Sequence, residues 1–212
     1  MRLFWAIELD DAARETLAAA QERLAADPAA AVVNWTRPEA LHVTLAFLGE
    51  VAEERVPELR AAIESLLPVE PLRLNLAHLG SFGGSRPRVV WAGLGGRDRG
   101  KLVALGEGVG AALEPLGFPR ERRGFAPHVT LGRVRKQRGR GGRALRELLR
   151  GTALPRTPFL AHEVVLFASS YGHAQGPARY TALLRLPCGG GGGGGGGGSG
   201  GSGGGSPAAA AA

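Results

Sequence analysis

Cysteine is almost absent from this chain, since Cys188 is the only one among 212 residues. A single thiol cannot form an intrachain disulfide, and it excludes a zinc site built from several thiolates. The sequence also has no run of about 18 consecutive apolar residues, so we expect no transmembrane helix. The start, MRLFWAIELDD, lacks the longer apolar segment and the cleavage site of a signal peptide. These absences predict a protein of the reducing cytoplasm.

Lysine is also scarce, because Lys101 and Lys136 are the only two in a chain whose formal net charge is +7. The positive charge is therefore carried almost entirely by arginine, and a basic protein tends to meet polyanions such as nucleic acid. A G+C-rich genome would enrich arginine, alanine and glycine as well. Both explanations of the arginine bias stay open, and the electrostatic consequence is the same under either.

The chain divides by composition into a mixed segment and a biased one. Residues 1–187 combine apolar and polar patterns, and 44% of the whole chain is apolar, so we expect one folded domain there. Residues 188–212 are nearly all glycine, serine and alanine, which predicts a disordered tail without a catalytic role. Within the first segment, predicted helices alternate with strands, several of them consecutive. This order indicates an α+β fold with an antiparallel or mixed sheet.

The tetrapeptide His-Val-Thr-Leu occurs twice, at 42–45 and at 128–131, each time inside an apolar, strand-like run. Side chains alternate between the two faces of a strand, so His42 and Thr44 share one face while the valine and leucine share the other. The same holds for the second copy. Two such strands facing each other across a cleft would present two imidazoles and two hydroxyls to one small ligand.

Paired histidines of this kind suit proton transfer around a phosphate. Imidazole titrates near neutral pH, so one ring can take a proton from water while the other gives a proton to the leaving oxygen. Threonine hydroxyls can donate to the phosphate oxygens. A metal site is the alternative, but neither motif has an acidic residue nearby on the same face, and we predict no metal and no cofactor. For His78, His162 and His173 we expect structural or solvent-exposed roles.

Four segments of the sequence resemble the 2H phosphoesterase superfamily. Within it, the chain is most similar to the bacterial and archaeal RNA 2′,3′-cyclic phosphodiesterases, historically called 2′-5′ RNA ligases. The segments are RLFWAIEL, NWTRPEALHVTLAFLGEV, SFGGSRPRVVWAGL and FAPHVTLGR, and together the resemblance spans about residues 1–187. It implies a bilobal α+β fold of two antiparallel sheets flanked by helices, with one motif from each lobe facing a central cleft.

The resemblance also implies an activity and a set of residues. The reaction would be hydrolysis of an RNA 2′,3′-cyclic phosphate end to a 2′-phosphomonoester, without metal. His42 would be the proton donor and His128 the proton acceptor, while Thr44 and Thr130 would hold the phosphate. Arg133 matches the family pattern PHxTLxR and is a candidate phosphate ligand. By strict alternation from His128 it points to the opposite face, so contact with the substrate requires a β-bulge or a strand end.

Further segments border this predicted site. The aromatic candidates for stacking a terminal base, each also a candidate core residue, are Trp35, Phe47, Phe82 and Trp91. The family's closing pattern of serine, glycine and tyrosine is approximated by Ser169 or Ser170 and Tyr180. The arginine-rich stretch 133–150 could follow an RNA backbone or form a solvated charged face, and the sequence favours neither.

Three alternatives to this function remain at the level of sequence. The same acid and base could act on a small cyclic phosphate, or could run the reaction in reverse and join RNA ends through a 2′-5′ linkage. A non-catalytic RNA-binding module is a third, but pure binding has no need of two histidines and two threonines in matched positions. The partners we expect are RNA ends, with no membrane and no obligatory protein partner, and the chain is expected to be a monomer.

Overall fold

The alternating N-terminal segment forms a strand whose Leu3, Trp5 and Ile7 are buried on one side. The computed structural model describes residues 1–120, 124–135, 141–170 and 179–189. Within those ranges the strands are β1 (Arg2–Glu8), β2 (Val33–Trp35), β3 (His42–Glu50), β4 (Leu72–Phe82), β5 (Val89–Gly95), β6 (His128–Val134), β7 (Pro158–Ala161), β8 (Glu163–Ser170) and β9 (Arg179–Pro187). The α-helices there are α1 (Asp11–Ala25), α2 (Val56–Glu64), α3 (Arg99–Leu113) and α4 (Gly141–Gly151).

All strand pairings are antiparallel, in the order β7-β4-β5-β6-β3-β1-β8-β9, with β2 added beside β6. This confirms the predicted α+β class. The resemblance led us to expect two antiparallel sheets, whereas the strands here form one connected sheet. Its two halves meet where β3 pairs with β6, through the single registered pair Val43 and Val129. The two motif strands are therefore central neighbours.

Helices cover one face of this sheet and create the core. Helix α1 begins at the cap residue Asp10, whose carboxylate accepts a hydrogen bond from the Ala13 N–H at 2.9 Å, and it buries Leu17 and Leu24. Helix α3 presents a comparable buried row that ends at Leu113. Each fully buried leucine contributes about 1.5–3 kcal/mol by leaving water. The opposite face of the sheet lacks such helices in the described ranges and carries both motifs, and we call it the cleft face.

Helix boundaries differ from the sequence prediction where proline intervenes. The apolar pattern of residues 53–67 predicts one helix, but helix α2 starts at Val56 after a 3₁₀ turn at Glu53–Arg55, because Pro57 fits only the first turn of a helix. The sequence pattern likewise predicts a helix over about 99–116, whereas α3 ends at Leu113 and Pro115 lies in a 3₁₀ turn after it. The short edge strand β7 was not predicted from the sequence.

The C-terminal end of the described chain continues slightly beyond the predicted domain boundary. The N–H groups of Cys188 and Gly189 donate to the carbonyls of His162 (2.7 Å) and Pro68 (2.9 Å). The remainder of the predicted tail, residues 190–212, lies outside the described residues. No helix among the described ranges is long and apolar enough to span a bilayer.

Candidate active site

The two His-Val-Thr-Leu copies lie side by side at the middle of the sheet. Val43 and Val129 pair with each other and are fully buried. Alternation therefore turns the histidine and threonine of each copy toward the cleft face, where all four are partly exposed. The sequence predicted strands that face each other; the structure instead makes them adjacent antiparallel strands, with the four side chains on one shared face.

Each motif histidine is oriented by the backbone two residues before it. Nδ1 of His42 lies 2.8 Å from the carbonyl oxygen of Ala40, and Nδ1 of His128 lies 2.8 Å from that of Ala126. A carbonyl can only accept, so Nδ1 carries the hydrogen in each neutral ring. Nε2 is then the nitrogen available for proton transfer. The sequence shows no acidic residue that would orient either ring, and the backbone carbonyl takes that part. The only trace of it in the sequence is that both copies extend upstream as Ala-x-His-Val-Thr-Leu.

Aromatic rings surround His42. Its ring centroid lies 4.9 Å from that of Phe4 and 5.3 Å, edge-on, from that of Tyr180. Phe167 stacks on Phe4 at 5.4 Å, so the rings form a small apolar cluster on the cleft face. Thr44 Oγ1 lies 3.0 Å from Nε2 of His42. Tyr180, suggested by the family's closing pattern, thus stands beside the first motif histidine.

Burial in this cluster is the largest cause that lowers the pKa of His42 below its usual value. The positive charge of His128 lowers the pKa further, which reflects the closeness of the two imidazoles. Two influences raise this pKa: the hydrogen bond to Ala40, which is second in size only to burial, and the weaker negative charge of Glu8, which pairs with His42 across β1 and β3. Without a bound anion, His42 therefore favours the neutral form more than a free imidazole does.

The second motif histidine has more open surroundings. The ring of Phe82 meets His128 edge-on at 4.9 Å, and that of Trp91 lies 6.4 Å away. The exposed ring of His78 contacts Trp91 at 5.2 Å and lies over Gly93, where an added Cβ would be 2.7 Å from His78 Cε1. Because Gly93 pairs with His128, His78 stands on the cleft face near the site. The sequence predicted a structural or solvent-exposed role for His78, and it did not predict that this exposed ring would lie near the site.

A β-bulge brings Arg133 to the cleft face. Trp91 pairs with Thr130 and Val90 pairs with Gly132, so Leu131 is the extra residue. Leu131 and Gly132 are both buried on the core side, and the exposed Arg133 returns to the side of Thr130. The bulge that the sequence required for Arg133 is thus present.

Helix α1 holds this bulge in place. The buried Gln21 donates from Nε2 to the carbonyls of Leu131 and Thr36, at 2.8 Å each. Leu131 also accepts from the Thr36 N–H at 2.8 Å. A buried amide that makes both bonds to strand carbonyls fixes the local path of β6. Sequence reasoning missed Gln21, which lies inside an otherwise ordinary amphipathic helix.

The first motif strand has the same bulge one residue after its threonine. Ala6 pairs with Thr44 and Trp5 with Ala46, so Leu45 is the extra residue. Phe47 consequently occupies on β3 the place that Arg133 occupies on β6. Phe47 is 69% exposed, and its ring lies 5.9 Å from that of Phe4.

The other aromatic candidates occupy different environments. Phe82 is exposed on the cleft face, Trp91 lies flat against the sheet over Gly80, and Trp35 packs partly against the core. His162 is exposed, as predicted, and His173 lies outside the described residues.

Arg185 holds two carboxylates of the cleft face in an ion-pair cluster. Arg185 on β9 donates to Glu8 at 2.5 Å and also to Glu163. In the part of the chain that the structure describes, no three His, Cys, Asp or Glu side chains come together as ligands for one ion. The histidines and Arg133 are thus the groups on this face suited to proton transfer and to anion binding.

Comparison with known proteins gives a family model and relatives that match part of this chain. A family model described as LigT like Phosphoesterase matches residues 7–91. An RNA 2′,3′-cyclic phosphodiesterase of Archaeoglobus fulgidus is 36% identical over 138 residues, covering 65% of this chain and 74% of that protein. A second RNA 2′,3′-cyclic phosphodiesterase, of Methanocaldococcus jannaschii, is 35% identical, and the match covers 64% of this chain and 72% of that protein.

Solved structures extend the similarity to nearly the whole described fold. A protein of Thermus thermophilus superposes with a TM-score of 0.71 at 28% identity, covering 89% of this chain and 98% of that one. E. coli LigT in complex with 3′-AMP gives a TM-score of 0.68 at 28% identity, and the match covers 88% of this chain and 97% of that one. From the sequence relatives and this shared fold together, the chain belongs to the LigT-like phosphoesterases of the 2H superfamily.

Proposed function

We propose that this protein hydrolyses the 2′,3′-cyclic phosphate ends of RNA to 2′-phosphomonoesters. The observation that carries the proposal is the pair of motif histidines on adjacent strands, each with Nδ1 held by a backbone carbonyl and Nε2 left for chemistry. The several relatives named RNA 2′,3′-cyclic phosphodiesterase support the same substrate.

In the proposed reaction one ring takes a proton from water and the other gives a proton to the substrate. Nε2 of His128 removes a proton from water as the water oxygen attacks phosphorus. The bond from phosphorus to O3′ breaks, and Nε2–H of His42 protonates the departing oxygen. The product keeps its phosphate on O2′ and gains a 3′-hydroxyl, while both rings return to their starting states through solvent. The reaction needs no redox step and no group other than water.

Three further side chains would stabilise the charge that develops on phosphate. The hydroxyls of Thr44 and Thr130 would donate to non-bridging oxygens, and Arg133 would supply a guanidinium on the same face. The negative phosphate would also counteract the burial that lowers the pKa of His42. Binding of the substrate would thus help to keep His42 in the protonated form that an acid requires.

We propose that residues 1–187 act as one catalytic domain, with the two halves of the sheet serving as lobes on either side of the β3 and β6 pair. A monomer would suffice, because both motifs come from one chain. The lone Cys188, which leaves no intrachain disulfide to form, is compatible with a cytoplasmic location.

The test is a product analysis under chelation. The metal-stripped protein in excess chelator is incubated with an oligonucleotide that ends in a 2′,3′-cyclic phosphate, and the end group is identified. We expect a 2′-phosphate. Turnover should fall by about 10²–10⁴ in His42→Ala and in His128→Ala while binding persists. His162→Ala is the matched control, because that histidine is exposed and outside the site.

Several outcomes would contradict the proposal. Undiminished turnover in either motif variant would remove the two-histidine mechanism. Activity that returns only with added zinc would favour a metal site. A 2′-5′ linked product in place of a 2′-phosphate would identify ligation as the main reaction.

A further inference from the structure

A cavity of about 620 Å³ lies between the outer edge of β4 and helix α4. Gly80 and Ser81 line it from the strand, and Arg143, Arg146 and Arg150 line it from the helix. Strand β7 pairs with β4 only over Leu72–Asn75, so the later half of β4 has no strand on that side within the described ranges. We call this cavity the edge groove.

The edge groove carries unbalanced positive charge. Arg143 is paired with Glu147 at 2.8 Å, and this contact lowers the pKa of that carboxyl. Arg146 and Arg150 have no carboxylate within 4 Å among the described residues. They donate instead to backbone carbonyls: Arg146 to Gly84 at 3.3 Å, and Arg150 to Arg146 at 3.3 Å. Two guanidinium charges therefore remain for an anion from outside.

The edge groove lies at the margin of the sheet, two strands away from the second motif strand. The ring of Trp91 lies over Gly80, with which it pairs across β4 and β5, and Trp91 pairs in turn with Thr130. Two strand spacings separate Gly80 from Thr130, which is about 10 Å. A nucleic acid whose end lies at the motif histidines therefore reaches the groove within a few nucleotides.

We propose that the edge groove binds the phosphodiester backbone of the RNA substrate upstream of its cyclic end. This inference rests on the proposed function for its substrate class. Guanidinium groups match phosphate oxygens in geometry, and the part of β4 that β7 does not cover has a strand edge that can supply backbone donors. Phosphate contacts carry no base information, so binding here would favour length over sequence, and longer RNA would bind more tightly than a mononucleotide.

The experiment compares two substrates at several salt concentrations. One is a nucleoside 2′,3′-cyclic phosphate, and the other is an oligonucleotide of about ten residues with the same end. In Arg146→Gln/Arg150→Gln, kcat/KM for the oligonucleotide should fall about tenfold at low salt, while that for the mononucleotide stays unchanged. The slope of log affinity against log salt should shrink by about 1.4, because about 0.7 is lost for each phosphate contact of a single strand.

Two control variants separate charge from structural damage. Arg60→Gln removes an exposed arginine from α2, where it pairs with Glu64 four residues on, so it should leave both substrates unaffected. Arg146→Lys/Arg150→Lys retains the charge and should restore most of the salt slope. Equal losses on both substrates, or an unchanged salt slope for the oligonucleotide, would overturn the proposal.

A binding measurement distinguishes this proposal from the proposed function. An oligonucleotide ending in a 3′-hydroxyl cannot react, yet it should bind the protein and lose affinity in the double glutamine variant. If the wild-type protein turned over neither cyclic substrate but showed this charge-dependent binding, the reaction would be wrong and the groove supported. Turnover of both substrates with identical kcat/KM would refute the groove alone.

Discussion

Strands β3 and β6 carry the same four residues, the same backbone anchor for the histidine and the same bulge after the threonine. They differ in what surrounds those shared parts. His42 is enclosed by Phe4 and Tyr180, whereas the ring contacts of His128 leave it more open. The duplicated segment supplies geometry, and the neighbouring strands supply the chemical difference between the two imidazoles.

The bulge shows the same division. In both strands it turns the fifth residue after the histidine to the cleft face, but that residue is Phe47 in one copy and Arg133 in the other. An aromatic ring offers a surface for stacking, and a guanidinium offers charge and directed donors. Under the proposed function, Phe47 would face a base or ribose and Arg133 would face the phosphate.

The largest expected effect tests which histidine is the acid. In a phosphodiester with a nitrophenolate leaving group, that group departs as a stable anion and needs no proton. His42→Ala should therefore regain most of its loss of about 10²–10⁴ on that substrate, whereas His128→Ala should stay impaired because water still needs a base. Rate constants for both variants on both substrates provide the measurement. Equal recovery in the two variants would make the histidines interchangeable, and recovery only in His128→Ala would reverse their roles.

Replacing Arg133 addresses the phosphate side of the comparison. Arg133→Gln should lower kcat by about 10²–10³, the cost of removing one donor aimed at developing charge, with a smaller change in KM. Steady-state kinetics on the cyclic-phosphate oligonucleotide would measure it. Arg135→Gln is the control, because Arg135 directly follows β6 and its guanidinium donates to the carbonyl of Ala31. A loss in the Arg135 variant as large as that in the Arg133 variant would point to bulk charge instead.

Much of this site could be predicted from the sequence because it depends on alternation and on identical residues. The shared face of His42 and Thr44 needs only a two-residue period, and the need for a bulge before Arg133 came from the same rule. Gln21 could not be predicted, since its bonds to β6 span more than a hundred residues of sequence. The carbonyl anchors were equally hidden, because any residue at position 40 or 126 supplies the same backbone oxygen.

The sequence also did not predict how the two halves of the sheet are joined. The family resemblance suggested two sheets, and only the register of Val43 against Val129 joins them into one. A single pair between strands far apart in sequence leaves no periodic signal. The place of His78 was hidden for a related reason: its strand alternates normally up to a bulge near Ala77, which then leaves the ring on the exposed side over Gly93.

A smaller effect is expected on the aromatic side. Phe47→Ala should raise KM for the oligonucleotide roughly tenfold with little change in kcat, because base stacking on one ring contributes about 1–3 kcal/mol. The same measurement on Leu160→Ala, an exposed apolar side chain on the distant edge strand β7, should show no change. A fall in kcat instead of a rise in KM would place Phe47 in support of His42 rather than against the substrate.

The subtlest prediction concerns the charge that acts on His42 from β1. As the acid, His42 must be protonated, so kcat/KM should fall as pH rises through its pKa, which burial holds below the usual value. The negative charge of Glu8 raises that pKa, so Glu8→Gln should move this limb of the pH profile to lower pH. Glu163→Gln provides the matched control. Arg185 contacts the carboxylates of both Glu8 and Glu163, but of these two only Glu8 affects the pKa of His42, so the Glu163 variant should leave the limb in place. The limb for kcat should lie at higher pH than that for kcat/KM, since bound phosphate adds negative charge beside the ring. A limb that moves to higher pH in Glu8→Gln would assign it to a group other than His42.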